Sequence, residues 1–171
     1  MMDYTDFIDP NNKRTANLRA YVNRIRVVTS GIERLELKRR TSGAKLTDEE
    51  SFSLASFYCE MGRVAEAAQL MRPLADKVKD APSLRAVSRI FMDAKMDADA
   101  EKVLNRYLKL APKADATAWT DLAKLQHRAK RKSAAQQSFI QGYKLDAQGI
   151  FPLLQKDQEL YEIAAPLFRQ R

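Results

Sequence analysis

Apolar positions along this chain recur in steps of three and four, the spacing that gathers side chains on one face of an α-helix. Leu18, Tyr21, Ile25, Val28, Ile32 and Leu35 alternate these steps as a heptad seam. The seam predicts a long helix over 13–40, within a basic N-terminal segment 13–42. A flexible leader, 1–12, precedes it and ends in the turn signal Asp9-Pro10-Asn11-Asn12. Gly31 lies inside this helix at a cost of about 1 kcal/mol relative to Ala. Thr41-Ser42-Gly43 closes the helix. The seam leaves three readings open: packing against the next element, pairing with a second copy, or lying on an anionic surface.

Beyond residue 47 a second pattern takes over and appears three times. Its copies are Leu54, Ala55, Tyr58, Ala67, Met71; Val87, Ser88, Phe91, Ala100, Leu104; and Leu122, Ala123, Gln126, Ala135, Phe139. Internal spacings are one, three, nine and four residues in every copy. Successive copies start 33 and 35 residues apart, a period at which one helical hairpin stacks on the next. The expected helix pairs are 47–61 with 64–79, 82–95 with 97–110, and 115–129 with 132–146. They divide the chain into repeats 47–80, 81–114 and 115–149.

Local signals support these bounds. Thr47-Asp48-Glu49-Glu50 reads as a capping box, in which the Thr47 hydroxyl and Glu50 carboxylate serve each other's backbone amides. Gly62 breaks the first pair, Pro82 opens the second and Asp97 is expected to cap its second helix. Ser133 and Gln136 offer a second, weaker capping box. Past Gly149 the rhythm changes, and 150–171 is expected to fold as a short turn of helix and a terminal helix that covers the end of the stack.

Composition fits this all-α reading. Hydrophobic residues make up 45% and charged residues 30%, with only five Gly and six Pro. That balance excludes a disordered chain and leaves little material for hairpin turns between strands. One Cys and one His exclude an internal disulfide and any zinc site built from three or four such ligands. No apolar run is long enough to span a bilayer, and the acidic, polar N-terminus does not read as a signal peptide. A cytoplasmic location is expected, with a membrane-tethered parent protein left open.

The net charge of +8 is unevenly placed. Residues 1–46 carry ten Lys/Arg against five Asp/Glu; residues 47–80 carry four against seven; residues 116–149 carry six against two. An acidic first repeat thus lies between a basic arm and a basic third repeat. The run His127-Arg128-Ala129-Lys130-Arg131-Lys132 could meet the phosphates of RNA or an anionic membrane, although no aromatic residue interleaves with it.

The recurring residues resemble the tetratricopeptide repeat. Trp119, Leu122, Ala123, Ala135 and Phe139 match its pattern in the third copy, with Gln126 in the Tyr position and Ala147 where Pro is usual. The second copy supplies Phe91, Ala100 and Pro112 but places Leu104 at the Phe position. The first supplies Leu54, Ala55, Tyr58 and Ala67, and its Tyr58–Arg63 stretch looks like the family's inter-helix turn. The resemblance implies a right-handed stack of three helix–turn–helix units over 48–149. It also implies a concave groove lined by the first helix of each unit.

Carried over by register, the groove would present Phe52, Ser56 and Cys59, then Arg85, Arg89 and Met92, then Thr117, Thr120, Lys124 and His127. Arg85 and Arg89 are four apart and share a helical face. Such cations favour an acidic peptide or a carboxylate, unless Asp or Glu on neighbouring helices engages them first. Family members that clamp a peptide's terminal carboxylate use Asn in the first helices; the only Asn in these repeats is Asn105, on a second helix. The layout is also similar to that of secretion-associated chaperones built from such repeats, without their acidic character.

No catalytic constellation, phosphate-cradling glycine loop or cofactor motif is present, so no cofactor and no enzymatic activity are expected. The chain reads as a protein–protein scaffold or adaptor that holds an acidic peptide. One alternative is self-association through the 13–40 helix, with the groove filled by the acidic leader. A basic surface for RNA or anionic membrane is the other.

Overall fold

The computed structural model describes residues 13–41, 45–113 and 115–168, with side chains from residue 16 onward. The expected leader 1–12 and the helix end at Ser42-Gly43 lie outside the described residues. Nine helices and no strand occur among the described residues, and the helices pack in neighbouring pairs. They fall into two compact units, Met1–Ala67 and Ala68–Arg171.

In the first unit α1 (Lys13–Thr41) packs beside α2 (Asp48–Glu60). The seam on α1 divides in two. Val28, Ile32 and Leu35 are buried, whereas Leu18, Tyr21 and Ile25 are exposed. The Phe57 ring packs directly on the backbone of Gly31, where an added Cβ would collide with it. That close approach explains a residue that weakens the isolated helix. Charged side chains frame the contact: Arg24 pairs with Glu60, Lys38 pairs with Glu50, and the Tyr58 hydroxyl donates to Glu36 at 2.7 Å. The capping box at Thr47 forms as expected, with Thr47 N–H donating to Glu50 at 2.9 Å and Glu50 N–H to Thr47 Oγ1 at 3.1 Å.

The helix α3 (Val64–Met71) begins in this unit and ends well short of residue 79. Pro73 is the physical reason: it has no amide proton, and its ring obstructs the carbonyl four residues back. Residues 72–77 continue as turns, held by Leu74 and Ala75 amides donating to the Met71 carbonyl.

In the second unit α4 (Ala81–Asp93) pairs with α5 (Asp97–Leu110), and α6 (Ala116–Arg128) with α7 (Lys132–Leu145). Two further helices, α8 (Ala147–Lys156) and α9 (Gln158–Phe168), then close on the last pair. Ile150, Leu160, Ile163 and Ala164 join Ala123, Ala135 and Phe139 in one buried cluster. Apart from Gln126, every residue of the three recurring patterns is buried. Gln126 accepts from the Ser138 hydroxyl at 2.8 Å, so a polar contact stands where the other copies place an aromatic ring.

The turns between paired helices are the same object three times. Gly62, Lys95 and Lys130 each have a left-handed φ, of 72°, 59° and 60°. The residue after each one donates its amide to the carbonyl of Tyr58, Phe91 or Gln126, at 2.7, 2.8 and 2.9 Å. The left-handed residue itself donates to Cys59, Met92 or His127. These are the two bonds of a Schellman turn. The amide of each recurring alanine, Ala67, Ala100 and Ala135, then donates to the carbonyl that starts the returning helix. Asp97 and Ser133 do not act as caps. Each lies inside its helix, and the capping residues Met96 and Arg131 make no side-chain cap bond.

Two substitution series follow from this geometry. A left-handed conformation costs a non-glycine residue roughly 1–2 kcal/mol. Lys95→Gly and Lys130→Gly should therefore each raise stability by about 0.5–1 kcal/mol, and Gly62→Ala should lower it by a similar amount. Gly142→Ala should destabilise by about 1–3 kcal/mol despite the better helix propensity of Ala. The reason is that its Cβ would sit 2.8 Å from the Ala116 carbonyl oxygen. Urea denaturation followed by circular dichroism checks all four.

Candidate functional site: a polar cleft in the second unit

The second unit contains a cleft of about 470 Å³, lined from α4, α6 and the junction of α8 with α9. Each wall is set by local sequence. Asp80 caps α4 by accepting from the Ser83 amide at 2.9 Å, and Pro82 sits in its first turn. With Leu84, Val87 and Phe91 turned into the core, the register leaves Arg85, Arg89 and Met92 on the cleft side. Asp115 caps α6 by accepting from the amides of Thr117 and Ala118. Leu122 and Ala123 then anchor that helix, and Thr117, Thr120, Asp121 and Lys124 line the cleft. Leu153, Asp157 and Leu160 supply the third wall.

Its floor is a chain of alternating charges. Arg85, only 8% exposed, donates through Nε to Asp115 at 2.7 Å and through Nη2 to Asp121 at 2.8 Å and Thr117 at 3.1 Å. Lys124 lies 3.9 Å from Asp121 and donates to Asp157 at 3.0 Å. Asp157 also accepts from the Leu160 amide at 3.0 Å and so caps α9. One continuous sequence, Asp115–Arg85–Asp121–Lys124–Asp157, thus ties α4, α6 and α9 together. The remaining guanidinium nitrogen, Arg85 Nη1, is buried without a hydrogen-bond partner. The guanidinium carbon stands 5.9 Å from the centre of the Tyr107 ring, within the range of a cation–π contact.

These contacts hold Asp115 and Asp157 ionised. For Asp115, burial pushes the carboxyl up, but the Thr117 hydroxyl and the Arg85 charge outweigh it and hold it below the ordinary 3.8. For Asp157, burial again pushes up, and the Leu160 amide and Lys124 pull it below the same value.

Of the ten groove residues expected from the sequence, Arg85, Arg89, Met92, Thr117, Thr120 and Lys124 line this one cleft. Their roles differ. Thr120 is buried and donates to the Thr117 carbonyl at 2.9 Å. Arg89 is exposed and has no ion pair or hydrogen bond with any described residue. His127 faces a different recess, with its Nε2 3.6 Å from Glu162. Phe52, Ser56 and Cys59 share one face of α2, in the first unit, with Ser56 exposed and the other two half-buried. Asp93, Asp121, Asp157, Leu153 and Leu160 were not foreseen in the cleft. The signal for Asp121 was its position three residues before Lys124, on the same helical face.

Two of the four Lys/Arg in the basic run at the third turn are engaged. Arg128 bonds Glu159 at 2.9 Å and Asp97 at 3.3 Å, and Arg131 pairs with Glu101. Among the described residues no three His, Cys, Asp or Glu side chains gather as a metal site. No described helix is long and apolar enough to cross a membrane. Neither a family model nor a curated protein matches the chain.

Because Arg85 is buried, Asp121→Ala should lower stability by about 2 kcal/mol, the scale of a lost hydrogen bond to a charged group. The pH dependence has a definite sign. Asp115 and Asp157 have folded-state values below the unfolded 3.8, so their contribution is complete above that pH and disappears as pH falls beneath it. An acid titration followed by circular dichroism should show unfolding below about pH 3.8, beginning at higher pH in Asp121→Ala.

Proposed function

We propose that this protein is a non-catalytic interaction module of the tetratricopeptide-repeat type, an adaptor that holds a partner's peptide in the cleft between α4, α6 and α9. The repeat assignment is supported by three Schellman turns at the 33- and 35-residue period of the sequence, and by burial of the recurring small residues. Trp119 adds to it, since its Nε1 donates at 2.8 Å to the carbonyl of Pro112, another residue of the family pattern.

One observation carries the ligand class. Arg89 is an exposed cation beside half-buried Met92, in a cleft whose other cations are already paired. The acidic-peptide expectation therefore narrows to one carboxylate at Arg89, with an apolar side chain placed against Met92 and Leu153. Arg85 and Lys124 shape the site and are not the residues that grip. Asp93, also exposed, sits one turn beyond Arg89 and disfavours a second negative charge next to the first.

Fluorescence anisotropy of the full chain against an array of short peptides, with one carboxylate beside a leucine or methionine, tests this reading. Arg89→Glu should weaken the best binder by about tenfold or more, and Met92→Lys by a similar factor, with melting temperature unchanged. Equal binding by wild type and Arg89→Glu would remove the cleft as the peptide site.

A further inference from the structure

The N-terminal half of α1 presents a second surface, independent of the cleft. Leu18, Tyr21, Val22 and Ile25 fall at i, i+3, i+4 and i+7, a single helical face, and are between 37% and 65% exposed. Arg19 and Arg26 flank this face on one side and Arg24 on the other. Arg19 and Arg26 have no ion pair with a described residue. From residue 13 to residue 32 the chain has five Lys/Arg and no Asp or Glu.

How the other half of the same seam is covered indicates the occupant. There α2 lies along α1, with Phe57 over Gly31, and it carries four carboxylates and no cation. Glu50 meets Lys38 at one end of the contact and Glu60 meets Arg24 at the other. An apolar stripe flanked by carboxylates is thus the chemistry that this basic helix already accepts. At Glu60 that cover stops, while the stripe and its arginines continue. A second copy of α1 would set Arg19 and Arg26 against like charges.

We propose that the Leu18–Tyr21–Val22–Ile25 face docks an acidic amphipathic helix of another protein, seated on α1 in line with α2. Its apolar side chains cover the stripe and its carboxylates meet Arg19 and Arg26. A helix segment of this length is only marginally stable alone in water, so the partner also stabilises the segment it covers.

The test uses the full chain and two fluorescent helical peptides about four turns long. Both carry leucines at i, i+3, i+4 and i+7; one is flanked by glutamates and the other by lysines. The glutamate peptide should bind about tenfold or more tightly than the lysine peptide. Leu18→Ser with Ile25→Ser should abolish binding, and Arg19→Glu with Arg26→Glu should invert the preference between peptides. All four side chains are exposed, and unchanged melting curves verify the fold. Equal binding of the two peptides overturns the proposal, as does a preference that survives the charge reversal. So does a concentration-dependent dimer in sedimentation, or tighter binding to vesicles containing phosphatidylserine than to the glutamate peptide. Binding that emerges only when Asp3, Asp6 and Asp9 are changed to Asn would assign the face to the chain's own leader instead.

Discussion

The buried guanidinium of Arg85 is the constraint on which the second unit depends. A charge at that depth is tolerated only when it is paired, because the interior cannot supply the solvation that water gave it. The partners come from the start and the middle of α6, and the second of them approaches Lys124, which reaches the start of α9. Helix placement and charge pairing therefore define one another. Displacing α6 would pull both carboxylates away from Arg85, and displacing α9 would leave Lys124 only Asp121, 3.9 Å away on its own helix. Two of the anions also cap helices, so the same carboxylates fix where α6 and α9 begin.

This arrangement changes the meaning of the cations in the cleft. Position on a helical face is readable from spacing, and six of the residues that the repeat resemblance implied for a groove line one cleft. Engagement is not readable in that way. The anions that hold Arg85 lie 30 and 36 residues away, and the one that holds Lys124 lies 33 away, each on another element. Only the three-dimensional stacking decides which cation meets a carboxylate inside the protein and which does not. Arg89, four residues from Arg85 on the same helix, differs from it in being exposed and in having no ion pair with a described residue.

The fold itself was more legible than the site, because its determinants are local. The Thr47 capping box and the start at Pro82 are short-range chemistry and appear where the residues indicate. The exceptions are also physical. Pro73 ends α3 early, a breaker outweighed in the sequence by the helix-favouring residues around it. Asp97 and Ser133 look like caps by residue type, but the Schellman turns place Met96 and Arg131 at the capping positions. A turn of that kind was visible at Gly62 and hidden at Lys95 and Lys130, since lysine is not a residue that advertises a left-handed backbone. The three turns are alike in their hydrogen bonds and not in their residues.

Net charge is a poor guide to what such a protein binds. Many of the cations behind the value of +8 are engaged: Arg24, Lys38, Arg106, Arg128 and Arg131 each hold a carboxylate or carbonyl elsewhere in their own unit. Others, such as Lys109 and Lys144, are exposed without an ion pair to a described residue, as ordinary solvated lysines are. Arg19, Arg26 and Arg89 belong to a third class, without an ion pair to a described residue and adjoining apolar side chains that are half-buried or exposed. A cation alone attracts any anion weakly and loses it to salt, and an apolar stripe alone attracts any greasy surface. Side by side they demand a ligand that carries both features at a fixed separation. Under the two proposals the cleft takes a single carboxylate with one apolar side chain, and α1 takes a full helical face with two carboxylates. In both proposals selectivity resides in that pairing of features.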